Sequence, residues 1–161
     1  MSAAAVTDDL RDLYQDLILD HGKRPRNFRV AEKPTHEGLG HNPLCGDRLV
    51  LYVTVDDKDV IQDVAFQGSG CAISVASASM MTEMLKGKTR AEVETLFNYM
   101  HRSCTASGDD VPSTDGVSED DADRVQALAG VRHYPMRVKC ATLAWHTLQS
   151  ALKNEQKIST E

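Results

Sequence analysis

The chain has 161 residues, 41% of them hydrophobic and 5% aromatic, and a formal net charge of −6. That length suits one domain spanning 1–161 and burying about 68–70% of its unfolded surface, so neither metal nor disulfides are needed merely to fold. No apolar run approaches the roughly 18 residues of a membrane span, and "MSAAAVTDD" lacks the basic start and apolar stretch of a signal peptide. The reading is a cytoplasmic protein with no membrane contact.

Charge is unevenly placed. Residues 109–123, "DDVPSTDGVSEDDAD", carry seven acids and no bases, and removing those seven charges from −6 leaves the remainder at +1. A near-neutral body with an acidic insert offers no electrostatic footprint for nucleic acid. The insert itself reads as a solvated surface segment.

In chain order, Leu10, Leu13, Tyr14, Leu17 and Ile18 recur on one face of an amphipathic helix that Gly22 stops. Residues 29–44, rich in Gly, Pro and His, read as loop with room for a short strand. "RLVLYVTV" (48–55) and "VIQDVAFQG" (60–68) are β-branched runs joined by an acidic turn, which predicts an antiparallel hairpin. In "CAISVASASMMTEMLKGK" Ile73, Ala76, Met80 and Met84 keep helical spacing. Thr89 and Glu92 form a capping box ahead of Val93, Leu96, Phe97 and Met100. A short helix is expected over 119–129. Pro135 then opens a last helix striped by Val138, Ala141, Trp145, Leu148 and Leu152. Residues 1–6 and 155–161 look frayed. The sum is α+β: a small antiparallel sheet with helices packed on one face.

The cysteines stand at 45, 71, 104 and 140 with no C-x-x-C pair, so zinc-ribbon and thioredoxin signatures are absent. Cys45 and Asp47 flank Gly46 just before a strand, where i and i+2 side chains share a face. A plain Gly-Asp turn would look the same. Cys71 falls where strand meets helix, and a helix N-terminus favours thiolate. Cys140, preceded by Arg137 and Lys139, sits early in the last helix and equally suits packing. Three thiolates and a carboxylate would complete a tetrahedral zinc site or hold an iron–sulfur cluster. Cys104 reads as a bystander. Of the six histidines, His41 alone is kept as a neighbour of the site.

Taken together, "LYQDLILDHGKRPRN", "NPLCGD", "VAFQGSGCAISVASASMMTEMLKGK" and "RVKCATLAW" resemble the U-type iron–sulfur assembly family, with its SufU and IscU branches, over about residues 10–153. The resemblance implies a SufE/NifU-like fold and a metal site of Cys45, Asp47, Cys71 and Cys140. Lys139 stands where the IscU branch carries histidine, and residues 101–133 supply the added segment of the SufU branch. By resemblance, then, the expected activity is zinc-dependent sulfur transfer. Cys45 would accept persulfide sulfur from a SufS-like, pyridoxal-phosphate-dependent cysteine desulfurase and pass it to a downstream cluster-assembly scaffold. Arg137 would orient the site or pair with Asp47, with Lys139 beside it. The alternative is a scaffold that builds a [2Fe–2S] or [4Fe–4S] cluster on the same residues.

Overall fold

The computed structural model describes residues 8–107, 112–153 and 157–159. The expected fraying at 1–6 and the start of the acidic insert, Asp109 to Val111, lie outside the described residues.

The fold starts with helix α1 (Asp8–Lys23), whose Leu17 and Ile18 pack on the core as the periodicity predicts. Three strands follow, β1 (His36–Asn42), β2 (Asp47–Val55) and β3 (Ile61–Ser69), antiparallel in the order β3-β2-β1. Along β2 every second side chain, Leu49, Leu51, Val53 and Val55, is buried, the mark of a sheet covered on one face. The cover is α2 (Ala72–Leu85) against β3 and α5 (Pro135–Leu152) against β1 and β2. Helices α3 (Arg90–Thr105) and α4 (Glu119–Ala129) close the far side of one hydrophobic core centred on Trp145, Tyr99, Phe66 and Met80. The fold is α+β, as expected.

Local chemistry sets the boundaries. Thr89 and Glu92 make both halves of the capping box that opens α3. Ser118 caps α4 through the Asp121 N–H, and Pro135 takes the first helical position of α5.

Three departures from the sequence reading have physical causes. The segment 29–44 contains a full strand, β1, despite its poor β-propensity. Its glycines are needed for packing: a Cβ at Gly40 would run into Thr147 Oγ1 of α5. The tail, expected to fray, contributes β4 (Lys157–Ser159), which pairs parallel with the open edge of β1. The acidic insert is not wholly solvated either. Asp121 is 4% exposed and meets Lys88 at 2.8 Å and Arg124 at 3.4 Å, while Val117 and Ala122 pack against the core. No described helix is long and apolar enough to cross a membrane.

Candidate metal centre

At one end of the sheet β1 turns into β2 through Pro43 to Gly46. The Cys45 N–H donates to the Asn42 carbonyl at 3.3 Å, and Gly46 adopts φ +70, a left-handed value that glycine tolerates without cost. This turn leaves the Cys45 side chain partly exposed and delivers Asp47 to the first position of β2, fully buried. Opposite, β3 ends and α2 begins at Cys71, the N-cap residue of that helix. The Cys71 N–H, one of the donors a helix start leaves free, gives its hydrogen bond to Asp47 Oδ1 at 2.9 Å. Gly70 permits that approach, because a Cβ there would collide with the same oxygen. Cys140 enters from the second turn of α5 and is fully buried.

Cys45, Asp47 and Cys140 thus place one ligand atom each within 4.8 Å of one another. Cys71 neighbours the Cys140 thiol but does not share that mutual spacing. Burial holds the Cys140 thiol well above its ordinary value, and hydrogen bonding to Cys45, Asp47 and Cys71 pushes it the same way. Gathered acids of this kind repel one another once ionised. A dication relieves that repulsion, and thiolates with one carboxylate are a donor set that zinc and iron both accept. The residues therefore fit a metal.

Arg137 points its guanidinium at Cys140 Sγ, 4.0 Å away, and faces Cys71 and Cys45 as well; hydrogen bonding to Cys140 holds its charge more firmly. It does not pair with Asp47, as one expectation had it. Lys139 makes no ion pair or hydrogen bond among the described residues. His41, kept from sequence as a neighbour, lies on the outer face of β1 and lines a cleft of about 450 Å³ with Leu39, Arg48 and Gln67.

The residue next to it does reach the site. Asn42, fully buried, donates from Nδ2 to Asp47 Oδ2 at 3.3 Å and toward Cys140 Sγ at 3.6 Å. Its Oδ1 is buried with no hydrogen-bond partner among the described residues. Leaving an acceptor so costs about 1–3 kcal/mol. Sequence reasoning passed over Asn42, although the strand period that pairs it with Asp47 could have marked it.

Cys104 is buried in α3 and is not among the gathered ligand atoms. His101 stacks on Phe97 and stands edge-on to His146 rather than serving a thiol.

A small α+β scaffold with three cysteines and an aspartate gathered at one end of its sheet defines the class. Residues 13–141 match the NifU-like N terminal domain, and the chain belongs to that family of iron–sulfur cluster assembly proteins. It is 37% identical over 148 residues to the zinc-dependent sulfurtransferase SufU of Bacillus subtilis, covering 92% of this chain and 95% of that one. Identity to the iron–sulfur cluster assembly scaffold protein IscU of Streptococcus pyogenes is 39% over 144 residues, covering 89% and 85%. Among solved structures, one from Fervidobacterium islandicum AW-1 superposes with a TM-score of 0.75 at 32% identity, covering 91% of this chain and 99% of that one. Its description proposes an iron–sulfur cluster assembly scaffold protein for the SUF system.

Proposed function

We propose that this protein is a zinc-dependent sulfur acceptor of iron–sulfur cluster assembly, with Cys45 as the accepting thiol and Cys45, Asp47, Cys71 and Cys140 as the metal ligands. The observation that carries the reading is the inequality of the thiols. Cys140 is fully buried and faced by two N–H donors, whereas Cys45 sits partly exposed on a glycine turn beside exposed Leu44. A group meant to meet a partner's sulfur belongs on such a turn. The likeness to the Bacillus subtilis protein supports zinc, and Lys139, in place of the histidine of the scaffold branch, supports transfer over cluster building.

When bound, zinc supplies a redox-inert dication that keeps its thiol ligands deprotonated. The chain's own residues do the rest. The Cys45 thiolate attacks the outer sulfur of a donor cysteine persulfide. The donor's S–S bond breaks, its electron pair leaves on the donor cysteine, which takes a proton, and Cys45 carries the new persulfide. Asp47, clamped by the Cys71 N–H, holds its carboxylate in place while Cys45 moves. Arg137 holds positive charge over the sulfurs. The fitting donor is a pyridoxal-phosphate cysteine desulfurase of the SufS type, and the fitting recipient is a cluster-assembly scaffold. Such thiol chemistry suits the reducing cytoplasm.

In the test, desulfurase, cysteine and the metal-loaded protein are incubated, and peptides are searched for the mass of one added sulfur. The expected result is a persulfide on Cys45, abolished in a folded Cys45→Ala variant. Unchanged sulfur acceptance by that variant would overturn the assignment. The second reading, a cluster scaffold, draws on the likeness to the Streptococcus pyogenes protein. It predicts iron with labile sulfide that transfers to an apo-acceptor, with zinc inert.

A further inference from the structure

Asn42 touches three members of the donor set at once. Its carbonyl accepts the Cys45 N–H at 3.3 Å, and its amide nitrogen lies 3.3 Å from Asp47 Oδ2 and 3.6 Å from Cys140 Sγ. Both side-chain neighbours are acceptors, so the NH₂ end must face them and Oδ1 is turned away, where it finds no partner. An amide kept for stability would not strand a buried oxygen, since an apolar residue of the same shape would fill the place without the penalty. The stranded oxygen marks a residue kept for what its other end does.

The ties it makes are one-sided. Asp47 is held at both oxygens, by the Cys71 N–H and by Asn42, and the Cys140 sulfur faces N–H groups of Asn42 and Arg137. Among the described residues no N–H group is hydrogen-bonded to the Cys45 sulfur, which the Arg137 charge faces without a bond; its anchor to Asn42 is through the backbone. Donors to a ligand atom fix its orientation and temper its basicity. We propose that Asn42 is a positioning residue of the metal site: it yokes Asp47 to Cys140 as the fixed half of the donor set and leaves Cys45 as the ligand that exchanges. The role given to Cys45 rests on the sulfur-transfer reading; the yoke itself does not.

The protein with Asn42→Leu, which keeps the branching of the side chain in a somewhat bulkier apolar group, is prepared metal-free and then loaded with zinc or cobalt(II). The thermal midpoint of the metal-free variant should equal or exceed that of the parent. Zinc affinity, from chelator competition, should fall about 10–100-fold, and the cobalt(II)–thiolate absorption band should move. Affinity within about twofold of the parent, below the usual effect of losing such a partner, would overturn the inference. So would a lowered metal-free midpoint with an unmoved cobalt spectrum, which is the signature of a structural role. Asn42→Ala is the second variant if leucine does not fit, and failure of both to fold would equally overturn it. Sulfur acceptance by the parent is read separately. A parent that accepts no sulfur on Cys45 sinks the functional reading and leaves the affinity result to decide the yoke.

Discussion

Cys104 and Cys45 are the same side chain with opposite prospects. Burial pushes the Cys104 thiol up to about 12, against a weaker pull from Arg132, so its nucleophilic form is scarce at neutral pH. Iodoacetamide added to the metal-free native protein should modify Cys45 readily and spare Cys104 until denaturant is present. Peptide mapping decides this, and native labelling of Cys104 would refute it. That Cys104 stands apart was legible from sequence, as was the closeness of Cys45 and Asp47, although the left-handed turn at Gly46 and not the strand alternation expected there brings them together. The approach of Cys140 to them was not legible from spacing: it depends on how α5 crosses the sheet, and the family resemblance alone announced it. The inward turn of Asn42 and the outward turn of His41 follow from a strand that the glycine-rich sequence concealed.

At the scale of elements, what could be read was what local chemistry controls. The Thr89 box and Pro135 fall where the sequence put them, since the one satisfies donors that a helix start must otherwise leave open and the other lacks such a donor; the Ser118 cap, not singled out from sequence, does the former for α4. Strand β1 was obscured because its reason for being extended is α5, more than a hundred positions away, and β4 because a three-residue strand lives on its neighbour's edge. Thr89→Ala should cost about 1 kcal/mol in urea unfolding and leave zinc affinity unchanged. Ser77→Ala should do more. The Ser77 hydroxyl donates to the Ala141 carbonyl and accepts from Trp145 Nε1 at 3.1 Å, bracing α2 against α5. Its loss leaves the buried indole N–H unpaired and should cost about 1–3 kcal/mol in the same measurement. Because Cys71 and Cys140 ride on those two helices, zinc affinity should fall with it. An undiminished affinity would show that the helices keep their places without the brace.

Over the whole molecule three histidines weaken the fold as the pH falls below neutral. Burial is the leading cause of lowered values at His21, His36 and His146, aided by Arg26, Arg90 and His101 respectively. All three bind a proton less readily folded than unfolded, where the ordinary value is 6.5. Their contribution is therefore complete above that pH and is lost as the pH falls through it toward the folded values. The metal-free protein should show a lower urea midpoint at about pH 5.5 than at about pH 7.5, and His146→Gln should flatten that slope. A slope unchanged by the substitution would remove His146 from the account. Zinc at a hundredfold excess over its dissociation constant should add about 2.7 kcal/mol to that unfolding free energy. The brace at Ser77 has one more consequence. The chain owns a single tryptophan, and its indole is the member that joins the helix of one cysteine to the helix of another. Emission from that one ring reports whether the brace between them holds, readable during metal loading without any label attached.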